Sequence, residues 1–368
     1  MGCCAMARSL STDEETPPIQ ALSSGRGMAS EISMKVTISV AIYNVAPFIA
    51  DCVRSLYEQT LDDIEILLVD DCSPDNSVEI AMQVLEQYPH RKSQVRVIRH
   101  EKNEGIAKTK CDALLEAQGE YVVVIDGDDF VDTRFAELLY QKAVDTGADM
   151  TICDFYRYRD GECKMGTLLP DGIIGDGENV RNDIINRKVS PFLVCKLFRR
   201  AFFDENDFMW PVKNIGEDTV ISAETAYYAK KIAHVAEPLY YYRYNPNSVT
   251  KLLDEEHCLK NHDSFKSNVD IYVRFLEREG VSDKYGRGIF INKMRTKNRL
   301  LRIIDQRKYV RLWLRTYPEI NKVVLFGNKY YKSTYREKAW FFAIVLGLFT
   351  KQKKRLFSKR FYPCNGWM

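Results

Sequence analysis

The 368 residues hold no run of about 18 apolar residues, the minimum for a spanning helix. The nearest approach, Ala339–Phe349 (AWFFAIVLGLF), is too short. Ten Cys are scattered through the chain and no two are spaced C-x-x-C, so zinc-ligand spacing is missing. Several fall inside apolar strand or helix patterns, where a free thiol behaves as a small hydrophobe. This usage fits a reducing compartment and argues against a disulfide-stapled secreted protein. Neither zinc-finger spacing nor an RRM-type aromatic motif occurs, so no nucleic-acid partner is expected. There is no internal repeat. Residues 1–33 lack both hydrophobic periodicity and a long apolar core. They are expected to be disordered and to carry no signal peptide.

Net charge is only +2, yet it is unevenly placed. From Arg287 to Met368 there are 21 Lys plus Arg against 3 Asp plus Glu; residues 1–286 carry 32 against 48. The split predicts an acidic body with a basic tail facing an anionic surface. In that tail, Met294–Leu314 and Ala339–Phe349 mix apolar side chains with Lys and Arg, and Lys351–Arg355 follow. Such a pattern suits an interfacial helix on anionic lipid, or equally a helical region packed on the body with a solvated basic face.

The apolar runs come in a regular order. Val36–Ile42, Glu65–Val69, Val95–Arg99 and Tyr121–Ile125 read as buried strands. Helical patterns over Phe48–Tyr57, Ser77–Tyr88 and Ile106–Ala117 separate them. This βαβαβαβ order predicts a parallel sheet with helices on both faces. Further on, the pattern predicts a helix at Phe135–Thr146, a strand at Asp149–Phe155 and a loop or hairpin over Arg157–Asp176. It then predicts a helix at Thr219–Lys230 and short strands at Ile232–Val235 and Pro238–Arg243.

Asp126-Gly127-Asp128-Asp129 stands at the carboxyl end of the fourth strand. Open α/β sheets bind ligands at that end. Three carboxylates in four positions call for a cation, and hard divalent ions take oxygen ligands and share them with phosphates. A metal–diphosphate site is the sharp reading, and an acidic turn closing a strand is the plain one. Tyr43-Asn44, Asp70-Asp71 and Asn103–Gly105 leave the other three strands at the same edge. An aromatic ring, acids able to bond a base or ribose, and an acidic cluster together describe a nucleotide-diphosphate site.

With these residues in order, the chain resembles a family 2 glycosyltransferase of the GT-A fold, of the bacterial surface-polysaccharide type. The likeness covers about Lys35 to Thr250. It rests on Val40–Asn44, Val69–Asp75, Asn103–Gly105, Asp126–Asp129, Lys196–Arg199, Gly216–Asp218, and Tyr242-Arg243 with Ser248. Each is weak alone; seven in sequence are strong. The resemblance implies that Tyr43 borders the base, Asp71 bonds the uracil ring, and Asn103 and Gly105 shape the pocket wall. It implies that Asp126 and Asp128 hold ribose and a Mn²⁺ or Mg²⁺ ion, with Asp129 close by. Lys110 stands where relatives often carry Arg, and Ala41 where they often carry Pro. Lys196 and Arg243 are candidates for phosphate contact or pocket closure. Asp218 is the implied base, with Glu217 as its support; plain first-turn helix charge is the alternative.

These readings give three regions: a disordered segment at 1–33, a GT-A domain at 34–250 and a basic helical region at 251–368. The expected activity is inverting, metal-dependent transfer of a sugar from a nucleotide-sugar donor, UDP-linked, to a hydroxyl of a surface glycan or lipid-linked acceptor. The expected place is the cytoplasm, peripheral to the inner face of the plasma membrane. One rival is a catalytically dead nucleotide-sugar-binding scaffold, disfavoured because both acidic clusters are present. The other is a nucleotidyltransferase, for which a Gly-rich loop should follow the first strand, where Tyr43–Pro47 stands instead.

Overall fold

A computed structural model describes residues 34–168, 178–246, 248, 254–303 and 308–346. The first half alternates strand and helix: β1 (Val36–Ile42), α1 (Ala46–Tyr57), β2 (Ile64–Asp70), α2 (Ser77–Leu85), β3 (Val95–Arg99), α3 (Ile106–Glu116) and β4 (Tyr121–Asp126). Every residue of β1 and β2 is buried. Continuous apolar runs of this kind belong to parallel strands covered on both faces. Register is what positions the site. β1 lies between β2 and β4, with Ile42 opposite Asp70 and Ala41 opposite Asp126. The three strands therefore end level, and the loops that follow them open at one edge.

The second half adds antiparallel pairs to the GT-A sheet, which was expected to be mostly parallel and flanked by helices. It contains β5 (Phe130–Val131), α4 (Phe135–Thr146), β6 (Met150–Arg159), β7 (Glu162–Gly166), α5 (Glu178–Ile185), β8 (Lys196–Arg199), α6 (Phe202–Glu205), α7 (Glu217–Tyr228) and β9 (Ile232–Arg243). The strand order is β3-β2-β1-β4-β8-β6-β9-β5, with β7 paired to β6. β8 runs antiparallel to β4 and β6, and β5 antiparallel to β9, so the sheet is mixed. The two short strands expected at 232–243 are one strand, kept in parallel register with β6 across irregularities near Cys153–Phe155. Pro238 and the charged Glu237 interrupt the sequence pattern there, while the irregularity accommodates them in the ladder. The loop-or-hairpin expectation resolves as a hairpin over its described part. Asp160 and Gly161 both have positive φ, as a two-residue turn between β6 and β7 requires.

The helical region comprises α8 (Glu255–Arg278), α9 (Gly286–Arg299), α10 (Lys308–Arg315), α11 (Pro318–Phe326) and α12 (Tyr335–Val345). α8 packs on both α7 and α9. Its Ile271, Tyr272, Phe275 and Leu276 join the main core, and its Cys258, Phe265 and Val269 join a second core with Met294, Leu300, Leu301, Trp313 and Ile344. The described apolar residues of Met294–Leu314 are thus packed inside or against this second core, not laid out as an interfacial helix. No described helix is long and apolar enough to cross a membrane. The seven described cysteines are all free thiols. Residues 1–33 and Lys351–Arg355, on which two expectations fell, lie outside the described residues.

Candidate active site

The site gathers at the carboxyl edge of the parallel strands. Tyr43 follows β1 and is 48% exposed, so its ring lines the surface and does not cap the core. Beside it, the backbone N–H of Asn44 donates to Ser73 Oγ at 2.8 Å and that of Ala46 to Asp75 Oδ2 at 2.8 Å. The loops after β1 and β2 are tied together by these side chains.

Asp71 is buried and organises the next loop. Its carboxylate accepts from the N–H of Glu104 at 2.7 Å and of Gly105 at 2.8 Å. His100 Nδ1 lies 2.7 Å from the same carboxylate, and His100 Nε2 lies 3.0 Å from Asp112 Oδ2. The Asn103 side chain donates over a long 3.5 Å to the Asp71 carbonyl. Gly105 has φ +92°, and a Cβ there would meet Asn214 Oδ1 at 2.1 Å. Glycine is required both by the backbone and by the close approach of the segment leading into α7.

Lys110, on α3, joins the two acidic clusters. Its buried ammonium donates to Glu217 Oε1 and Asp218 Oδ1, both at 3.1 Å, and stands 3.6 Å from Asp126 Oδ1. Burial alone would lower its pKa, but the charges of Asp126, Asp218 and Glu217 outweigh that and raise it well above the ordinary lysine value. Glu217 and Asp218 open α7, where the helix dipole favours acids. Burial, then the neighbouring Asp218 charge, pushes the Glu217 carboxyl up to about 7, with Lys110 opposing.

The Asp126–Asp129 turn divides by role. Asp129 is buried; it accepts from Tyr240 Oη and, at 2.7 Å, from the Arg243 N–H. Both its oxygens are engaged, so it shapes the turn instead of facing a ligand. Burial, then the Asp128 and Asp126 charges, raise its pKa well above the carboxylate range. Asp128 Oδ2 accepts from Asn245 at 2.9 Å. Asp126 Oδ1 is buried without a hydrogen-bond partner, and burial raises its pKa while Lys110 opposes and Asp128 adds to the rise. Among the described residues, no group of three or more His, Cys, Asp or Glu side chains forms a ready ligand set. What remains is a pair, Asp126 and Asp128, with an unsatisfied oxygen. That suits an ion completed by substrate phosphates and water, the usual habit of Mg²⁺.

Two candidates stand apart from the open site. Lys196 is fully buried, and its ammonium donates to Phe192 O at 2.7 Å, Ser222 Oγ at 2.9 Å and Ser190 O at 3.3 Å. All three donors are used, and burial lowers its pKa to about 7. It supports the 190–192 segment. Arg243 donates to Asp51 Oδ2 at 3.1 and 3.2 Å and lies 4.9 Å from the Phe130 ring centroid. It staples α1 to β9. The supporting residues Tyr240, Asn245, His100 and Asn214 had no signal in the sequence pattern beyond their nearness to motifs.

The family model of glycosyl transferase family 2 matches residues 37–206, which hold β1 to β8 and the Asp126–Asp129 turn. Over that stretch, just under half of its length, the chain is similar to glycosyl transferase family 2. The uncharacterized glycosyltransferase EpsJ of Bacillus subtilis is 32% identical over 222 residues, 59% of this chain and 63% of EpsJ. The chain therefore matches just under two thirds of that relative's length. Among solved structures, Staphylococcus aureus TarS 1–349 in complex with UDP superposes with a TM-score of 0.51 at 17% identity, over 89% of this chain and 91% of that one. The mannosyltransferase PcManGT of Pyrobaculum calidifontis, in complex with GDP-Man and Mn²⁺, gives 0.51 at 16% identity, over 90% and 86%. At such identities the likeness establishes the fold: a mixed sheet flanked by helices, of GT-A type.

Proposed function

We propose that this glycosyltransferase moves a sugar from a UDP-linked donor to a hydroxyl of a growing surface glycan or lipid-linked acceptor, with inversion, working at the inner face of the plasma membrane. The observation that carries this is the Lys110 ammonium, which holds Asp218 and Glu217 on one side within reach of Asp126 on the other. A base and a diphosphate site must face the same anomeric carbon, and this cation sets them across one small gap. Tyr43 and the Asp71-braced loop form the base end of the cleft. Asp218, 22% exposed at its side chain, takes the proton of the acceptor hydroxyl as the oxygen attacks the anomeric carbon and the bond to the diphosphate breaks. Lys110 and the buried Glu217 fix its position. Asp126 and Asp128 would hold a Mn²⁺ or Mg²⁺ ion, which neutralises the departing diphosphate. One relative supports a polymeric acceptor: the poly(ribitol-phosphate) beta-glucosyltransferase of Bacillus spizizenii is 31% identical over 57% of this chain and 32% of its own length.

The test is UDP-dependent thermal stabilisation with and without Mn²⁺, followed by a panel of nucleotide sugars scored for hydrolysis. Ligand stabilisation follows RT ln(1 + [L]/Kd). Wild-type protein should be stabilised by UDP with Mn²⁺, and Asp128→Ala should lose that response while melting normally alone. An unchanged UDP response in Asp128→Ala would remove the metal assignment. No response in the wild type would remove the donor reading.

A further inference from the structure

Helix α12 carries an apolar face that the described chain leaves open. Its exposed positions are Tyr335, Ala339, Phe342 and Val345, and Leu346 follows at the helix end. They recur at helical spacing and form one stripe. Tyr335 is 89% exposed, Phe342 54% and Leu346 64%. The opposite side carries Glu337, Phe341 and Ile344, all buried. Phe326, at the end of the neighbouring α11, is also 80% exposed. An outward face in which each of these positions is apolar, on a helix whose other face is already packed, is built to be covered.

Charge indicates what covers it. The 22 residues after Leu346 contain six Lys plus Arg and no Asp or Glu, interleaved with Phe349, Phe357, Phe361 and Trp367. The whole stretch from Arg287 has 21 basic residues against 3 acidic. A second copy of this chain seated on α12 would set two such basic regions against each other. An anionic bilayer offers both missing partners, an apolar boundary for the stripe and negative headgroups for the Lys and Arg. We propose that the exposed face of α12, together with the basic sequence following it, docks this protein on an anionic lipid bilayer. The proposal rests on the peripheral-membrane part of the function proposed above and names the surface responsible.

The experiment is co-sedimentation of the full chain with vesicles of phosphatidylcholine, alone or mixed with phosphatidylglycerol. Two full-length variants separate the contributions. Phe342→Gln/Leu346→Gln removes apolar surface from exposed positions without changing charge. Lys351→Gln/Lys353→Gln/Lys354→Gln/Arg355→Gln removes charge and leaves the stripe. Wild type should pellet with the phosphatidylglycerol vesicles and stay soluble with phosphatidylcholine alone. The apolar variant should lose about tenfold or more in partitioning, as expected for withdrawing two half-buried side chains. The charge variant should lose most binding, and ~1 M salt, with a Debye length of about 3 Å, should mimic it in wild type. UDP titration should be the same for all three proteins, which keeps donor binding separate. If the apolar variant pellets like wild type, α12 is the wrong surface although the membrane reading stands. If wild type does not pellet, both fall. A lipid-free dimer that the apolar variant dissociates would assign the stripe to self-association and overturn the proposal.

Discussion

Asp218 and Glu217 are adjacent in sequence, share one cation and differ in exposure, and that difference separates their roles. The Asp218 side chain is 22% exposed, whereas Glu217 is buried beside Lys110. Asp218→Asn keeps the shape and cannot take a proton. Turnover should fall by about 10²–10⁴, with UDP affinity nearly unchanged; steady-state rates beside UDP titration check both halves. Glu217 gives a pH prediction. Its folded pKa, about 7, lies above the ordinary value of 4.5, so the folded state binds the proton more tightly. Its contribution to stability is therefore most favourable below pH ~4.5 and is lost as pH rises through about 7. The span is at most ~3 kcal/mol, since one pKa unit is worth about 1.4 kcal/mol. Wild type without ligand should lose stability between pH 5 and 7 by roughly this much, and Glu217→Gln should show a flatter profile. Denaturant midpoints across that range decide it; parallel slopes would place the shift elsewhere. Lys196 stands in a strand whose neighbouring side chains are buried. In a strand with period two, Lys196 shares a side with Phe198, and both are buried. Its motif suggested a ligand contact, whereas Leu197 and Phe198, on opposite faces of the strand, are both buried and leave it no exposed side. The bonds of Asp129 to Tyr240 and Arg243 join residues more than a hundred positions apart, and no local pattern announces them.

At the scale of elements, the loop before α3 and the segment before α7 meet at Gly105. A substitution there tests whether the two halves of the cleft are coupled. Gly105→Ala adds a methyl at φ +92° that would lie 2.1 Å from Asn214 Oδ1. Strained backbone and clash together should cost about 1–3 kcal/mol. UDP affinity should fall as well, because the Gly105 N–H is held by Asp71. Gly105→Ala/Asn214→Ala should recover the clash portion and leave the backbone portion. Melting curves of the two variants separate them, and equal destabilisation would show that Asn214 gives way freely. The parallel strands were legible because each is a short run rich in Val, Ile and Leu set between helical patterns, and β1, β3 and α4 match their expected limits. The antiparallel insertions were not, because pairing direction depends on where a strand is inserted and leaves no mark on its own side chains. β8 joins β4 and β6 as a four-residue strand, and β5 has two residues, too short for any period to register.

For the whole molecule, the basic region carries two properties that sequence composition cannot separate. Its charge was plain from counting, but composition does not say which apolar residues face inward. The structure divides α12 between the two. Phe341 and Ile344 belong to the second core beside Trp313, and Phe342 and Leu346 face outward. A deletion starting at Ala339 would therefore remove core together with surface and would confuse docking with unfolding. The informative pair of truncations ends the chain after Leu346 or after Thr334. The longer protein keeps every described contact of α12 and should melt within a few degrees of the full chain. The shorter one loses Phe341 and Ile344, each worth about 1.5–3 kcal/mol when fully buried, and opens the second core around Trp313. A kcal/mol moves the midpoint of a domain this large by about 2–4 °C, so the shorter protein should melt roughly 6 °C or more below the longer. α8 lends side chains to both cores and packs on α7, which begins with Glu217 and Asp218. Loosening the second core should therefore reach α7, and on the proposed role of Asp218 the shorter protein should lose turnover beyond any loss of lipid binding. Turnover measured without membranes tests that link; full activity in a shorter protein with a lowered melting point would show that α7 is held by the main core alone.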